Sequence, residues 1–549
     1  MTDAPTEPWQ QVAQKAQARR AAAIPAEWLL PKEILDSAPQ DVTAVAQKFL
    51  SPWELELTAL TASELAEKTI SRQASAEEVA TAFCHRAAIA HQLVNCLTEI
   101  FFVDGIEQAK ALDRHYQETG KPVGRLHGVP VSIKDHFNVK GALTTSGYIS
   151  YAKFPPKDED GHIAEILRNA GAVLYCKTNN PQCMMVVETV SNIYGRTLNP
   201  RNTRITAGGS SGGEGALLAM RGSAMGVGSD VGGSIRIPAA FNGIYGFKPS
   251  IGRVPTGGSE CTMSGNDSIA PVAGPICHSM EDLELFFQVI SDAEPWLREP
   301  VLEVPWKTSG LGVDDKLRIG VMGWDEVVLP HPYITRCISE AVEKLKQAGH
   351  EVIEFRPYDH KRAWDDILLP LYFPDGGLDI KNTLAASGEP MFPSAKRLIN
   401  DPLVRERSIH ELWQLHCARD KYKSEYLAHW NSTAQKTASG KAIDVILCPS
   451  APGQGAPHDV KPWWGYCAQW NLLDYPSGVI PFGTILGTDK YPDKYVPVNE
   501  LDKENYGLYS ENKGLYTGLP VSVQIVGKRL QDEKVMEAMR RIDKVLNGK

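Results

Sequence analysis

Apolar residues recur along this chain with two different periods. After Ser75, the residues Val79, Phe83, Ala87 and Ala90 return every three or four positions, the stripe of a helix with one buried face. Three Ser/Thr-x-x-Glu boxes stand before such stripes: Ser51-Pro52-Trp53-Glu54, Thr61-Ala62-Ser63-Glu64 and Ser75-Ala76-Glu77-Glu78. In each the hydroxyl and the carboxylate cap backbone N–H groups that a helix start leaves unpaired, so 51–102 is expected to be a helical block. Residues 7–23 read as a further short helix. Beyond 102 the pattern changes. Short, nearly unbroken apolar runs ("HGVPVSIK", "AVLYCK", "AMGVG", "LRIGVMG", "EVIEF", "DVILCPS", "VSVQIVG") alternate with amphipathic ones ("HIAEILRNAG", "GEGALLAM", "RCISEAVEKLKQAGH"). Unbroken runs are strands covered on both faces, and their alternation with helices predicts an α/β sheet flanked by helices. Residues 360–440 read as mainly helical, entered through a polar, Pro-rich stretch at about 296–316. The expected organisation is one domain over 1–549: a helical N-terminal wrap at 1–102, a core at 103–290 and a helical insertion at 360–440.

Composition narrows the function. Hydrophobic residues make up 43% of the chain and charged ones 22%, enough for a large buried core. The net charge of −9 argues against a nucleic-acid or anionic-membrane partner. None of the 14 histidines forms a zinc-ligand motif, so no metal is implied. The 10 cysteines are scattered, several within apolar runs such as "AVLYCK", as reduced buried thiols are. The first thirty residues hold no uninterrupted apolar run, so neither a signal peptide nor a membrane span is expected and the cytoplasm is the expected location.

Three residues carry the candidate chemistry. Lys134 ends the apolar strand of "HGVPVSIK", where open α/β sheets place their ligands. Burial there disfavours its ammonium form, so a neutral amine able to take a proton is one reading. Pairing with the neighbouring Asp135 is the other. Ser234 follows the Gly232-Gly233 turn of "GVGSDVGGSIRIPAA", where a strand turns into a helix. Backbone N–H donors converge at such a turn and can hold an oxyanion, which suits a nucleophile; a plain N-cap is the alternative. Ser210 lies in Gly208-Gly209-Ser210-Ser211-Gly212, which satisfies the G-x-S-x-G nucleophile elbow. The elbow needs a strand before it and a histidine after it, and only His458 offers itself. A serine nucleophile needs a base. Lys134 supplies one, with Ser210 able to relay the proton between Lys134 and Ser234.

At "LHGVPVSIKDHFNVKG", "GGSSGGEGA" and "GSDVGGSIRIPAAFNG" the chain resembles the amidase signature family. Further stretches ("FCHRAAIAHQLVNC", "GRTLNPRN", "LPHP", "SGEP", "NLLDYP") are similar to its fungal acetamidase branch. The resemblance implies an α/β fold with a large mixed sheet covered by helices on both faces. It also implies a Ser-Ser-Lys triad: Ser234 as nucleophile, Ser210 as bridging serine after a cis peptide, and Lys134 as base. By the same motif positions, Val231, Gly232, Gly233 and Ser234 supply the oxyanion N–H groups, while Ser211, Asp230 and Arg236 support them. Met184 in "TNNPQCM" becomes a substrate-pocket residue, though core packing accounts for it equally well. The implied reaction is hydrolysis of small aliphatic or aryl amides, needing no cofactor. Homodimers are common in the family. Its alternatives are an amidotransferase subunit passing ammonia to a partner and an enzyme like the fatty-acid amide hydrolases.

Overall fold

The computed structural model describes residues 7–308 and 316–548; part of the expected entry to the insertion, 309–315, lies outside the described residues. Eleven strands form one mixed sheet. They are β1 (Leu97–Ile100), β2 (Pro130–Lys134), β3 (Val173–Thr178), β4 (Met225–Asp230), β5 (Tyr245–Lys248), β6 (Val272–Cys277), β7 (Arg318–Val321), β8 (Glu351–Glu354), β9 (Val445–Cys448), β10 (Ser477–Thr484) and β11 (Pro520–Val526). Their order across the sheet is β1-β3-β2-β4-β6-β5-β10-β11-β9-β7-β8. β3, β2 and β4 run parallel, as do β9, β7 and β8, while the strands between these two groups are antiparallel.

Both faces of the sheet are covered. Along β9, Val445 and Leu447 pack into one apolar cluster with Ile338 and Ile542, whereas Ile446 and Cys448 pack into another with Trp430 and Trp470. This alternation is the period of a strand read from two sides. The helices Met280–Asp292, Pro332–Gln347 and Asp532–Asn547 cover the first side. The second is covered by the Gly212–Ala219, Arg236–Asn242 and Gly465–Leu472 helices and by the helices of 360–432.

All three expected N-terminal capping boxes form, at Ser51/Glu54, Thr61/Glu64 and Ser75/Glu78. The helical block nevertheless stops short of 102. Asn95, in the left-handed region at φ 52°, ends the Ala76–Val94 helix, and Leu97–Ile100 then adds β1 antiparallel to β3. The apolar stripe could not show this, because "LTEI" takes its place from its partner strand. Among the described residues no helix is long and apolar enough to cross a membrane.

Candidate active site

The site lies where the parallel strands β2 and β4 end side by side. Lys134 is the last residue of β2 and has no exposed surface. Its Nζ donates to Ser210 Oγ at 2.6 Å and to Ser229 Oγ at 2.9 Å. Burial pushes the ammonium down from an ordinary 10.5 to about 7; the nearby carboxylates of Asp230 and Glu214 act the other way. The pairing with Asp135 does not form. Asp135, in the turn after β2, instead accepts from Thr98 Oγ1, Thr145 N and Oγ1, and Ser146 N at 2.7–3.0 Å, with Lys177 Nζ 3.8 Å away.

Ser210 follows Gly209 across a cis peptide in the loop before the Gly212–Ala219 helix. Immediately before the loop runs Asn202–Thr206, paired in a two-stranded ribbon and not in the main sheet, so the G-x-S-x-G elbow lacks its context. His458, the elbow's best histidine, is held by Glu188 Oε1 at 2.9 Å and by the Thr203 carbonyl at 3.2 Å.

Ser234 lies two residues before the Arg236–Asn242 helix, with Pro238 in its first turn. Ser210 and Ser234 face a common cavity of about 120 Å³ whose walls include Met184, His136, Cys261 and Tyr372. No hydrogen bond joins the two serines among the described residues. Met184, itself in the left-handed region at φ 55°, stands on the cavity wall.

The turn carrying Ser234 is held from below. Asp230, fully buried, accepts from the N–H of Gly233 at 2.8 Å and of Ile235 at 3.1 Å. Both its oxygens also accept from Arg236, at 2.8 and 3.0 Å. Burial alone would raise the Asp230 carboxyl, but the Arg236 guanidinium overrides it and holds the carboxyl far below the usual range. Arg236 reaches on to Asn471 Oδ1, the Cys467 carbonyl, Ser477 Oγ and Gln524 Oε1 at 2.7–3.1 Å, joining the turn to β10 and β11. Ser211 Oγ meets the backbone of Ser229 at 3.4 Å and so ties the two serine-bearing loops together.

The expected oxyanion donors divide. Gly233 N–H is committed to Asp230, which leaves those of Val231, Gly232 and Ser234. Gly233 sits at φ +125°, and a Cβ there would come within 2.7 Å of Cys467 and Ile237. A Cβ on Gly232 would meet the Trp464 ring at 2.3 Å. The Tyr372 hydroxyl donates to the Val231 carbonyl at 2.7 Å, fixing the peptide that presents the Gly232 N–H.

Four contributors went unread in the sequence. Ser229 and His136 extend the hydrogen bonding of Lys134, and His136 could have been found as the titratable residue two beyond Lys134, in the turn that follows β2. Glu214 stands inside the quoted "GGSSGGEGA"; burial pushes its carboxyl up to about 8, against the pull of the Ser132 and Thr178 hydroxyls that donate to it at 2.6 and 2.8 Å. Tyr372 arrives from the insertion with no local signal.

A family model described as amidase matches residues 78–536. An amidase of Gibberella zeae is 42% identical, over 98% of this chain and 100% of its own length. The acetamidase of Emericella nidulans is 40% identical, over 98% of each chain. Among solved structures, a fatty acid amide hydrolase superposes with a TM-score of 0.90 at 34% identity, covering 98% of this chain and 95% of its own.

Proposed function

This chain belongs to the amidase signature family and is an amide hydrolase, and from that premise we propose that it cleaves small aliphatic and aryl amides through an acyl-enzyme on Ser234. The observation carrying the mechanism is the buried Lys134 amine, 2.6 Å from Ser210 at the cavity that also holds Ser234. Ser234 Oγ attacks the amide carbon. Its proton moves to Ser210 Oγ as the Ser210 proton moves to Lys134 Nζ. The carbonyl oxygen, gaining charge, meets the N–H groups of Val231, Gly232 and Ser234. Collapse breaks the C–N bond while the relay returns the proton to the leaving nitrogen. Water then attacks the acyl carbon and gives its proton to the same relay; collapse breaks the bond to Ser234 Oγ as the relay returns that proton to the serine, and the acid leaves. Asp230, Arg236 and Ser211 hold the two loops in register.

The cavity and the likeness to an acetamidase support a small acyl group. An apolar cavity of about 150 Å³ holds a benzene, so about 120 Å³ beside Ser234 suits a short aliphatic acyl group, and an aryl group fits where the cavity opens to its surroundings. A second reading, longer acyl chains, is favoured by the likeness to a fatty acid amide hydrolase. The test is kcat/KM across acetamide, hexanamide, benzamide and a long-chain amide. We expect a maximum among the first three; a steady climb to the long-chain end would assign the enzyme to the second reading.

A further inference from the structure

Lys134 has a second hydrogen-bonded branch that the acyl-transfer relay does not use. Its Nζ donates to Ser229 Oγ, which lies 2.9 Å from His136 Nε2. His136 is 6% exposed, packs on Phe137 with ring centroids 4.0 Å apart, and lines the same cavity as the two serines. Its Nδ1 has no hydrogen-bond partner among the described residues. A buried ring with half its hydrogen-bonding capacity unused is costly, which asks what the other half does.

We propose that His136 is a positioning residue for Lys134, acting through Ser229: Nε2 gives the Ser229 hydroxyl hydrogen an acceptor, so that the lysine can be protonated or left with a free lone pair. The inference rests on the reading of Lys134 as the base. An ammonium has three donors and no acceptor, so Ser229 must accept from it and point its own hydrogen elsewhere. His136 Nε2 is the nitrogen within reach. When Lys134 is neutral, its lone pair must stay open to the Ser210 proton, and the same contact keeps the Ser229 hydrogen off it.

The surroundings fit this role. Burial, then the charges of Lys134 and Lys177, hold the imidazole well below its ordinary range, so the ring stays neutral and Nε2 can accept with the hydrogen on Nδ1. The charged and titratable groups facing Lys134 are Asp230 at the end of β4, Glu214 on the Gly212–Ala219 helix and Cys261 on the cavity loop.

Removing the ring leaves the Lys134 lone pair as the acceptor for Ser229. That favours the neutral lysine while blocking it, so the pH inflection and the high-pH plateau should both fall. The experiment is the pH dependence of Ser234 labelling by an alkyl fluorophosphonate, which needs no knowledge of the natural substrate. For His136→Phe we expect the inflection to fall by about half a pH unit or more and the plateau by about fivefold, the scale of one hydrogen bond. His136→Gln, whose Oε1 can reach Ser229, should restore both. Ser229→Ala should lower the inflection by itself, and adding His136→Phe to it should change nothing further. An unmoved inflection in His136→Phe, or an equal shift in the Ser229→Ala background, would overturn the inference. If His136→Phe does not fold, a Gln variant that fails to match the wild-type inflection overturns it. A wild-type Ser234 that takes no label overturns the acyl-enzyme reading, and this inference with it; a labelled Ser234 whose profile ignores His136 overturns this inference alone.

Discussion

Lys134→Met should make the protein more stable at pH 6 and less stable at pH 10. The amine is fully buried and titrates near 7 in the folded chain, against 10.5 for an ordinary lysine. Between those values the unfolded chain holds a proton that the folded chain lacks, so wild-type stability rises with pH across that window. Below pH 7 both forms are charged and the cost of the buried ammonium is complete, about 5 kcal/mol at about 1.4 kcal/mol per unit. Methionine removes that cost. It also strips Ser210 and Ser229 of a partner, about 1 kcal/mol each and independent of pH. The variant should therefore lead by about 3 kcal/mol at pH 6, cross the wild type near about pH 9, and trail by about 2 kcal/mol above 10.5. Urea unfolding followed by tryptophan fluorescence from pH 6 to 10.5 reads the difference. Both proteins should carry Glu214→Gln, because that carboxyl, at about 8, titrates inside the window. A stability difference that stays constant with pH would refute the argument, since it would mean that the lysine titrates alike in both states.

Four further outcomes follow from the site. Ser234→Ala should abolish fluorophosphonate labelling and turnover while leaving the urea midpoint nearly unchanged; an adduct on Ser210 in the wild type would reverse the roles of the two serines. Lys134→Arg keeps the charge but stays protonated, so activity should fall by about 10²–10⁴-fold, and the wild-type rate should rise with pH through about 7. Gly232→Ala drives a methyl into Trp464 and displaces an oxyanion N–H, which should lower kcat by about 10²–10³-fold; Trp464→Ala in that background should recover part of it, and an unimpaired Gly232→Ala would count against the donor role. Arg236→Met leaves the buried Asp230 carboxylate unpaired and should cost about 3–5 kcal/mol by urea unfolding.

Sequence patterning captured the parallel parts of the sheet and β11, and missed β5, β6 and β10 of its antiparallel centre. β2, β3, β7, β9 and β11 are apolar runs covered on both faces, so they announce themselves. β5, β6 and β10 read "YGFK", "VAGPIC" and "SGVIPFGT", with glycine or proline in their interiors. Those residues argue against a strand locally and are tolerated because both neighbours already fix the ladder. For the candidate site, Lys134, Ser210 and Ser234 were legible because each stands in a quoted motif. Tyr372 was not, because it reaches the Ser234 turn across 141 residues of chain, a proximity that only the tertiary fold creates.

The spokes of Arg236 bear on when a newly made chain becomes reactive. By the time residue 242 has been synthesised, Lys134 and both serines exist, but the guanidinium still lacks Cys467, Asn471, Ser477 and Gln524. Until those residues are made Arg236 holds only Asp230, and Gln524 of β11 is the last of its partners to appear. A half-finished chain on the ribosome would thus carry Lys134 and both serines before the frame that holds the Ser234 turn is complete.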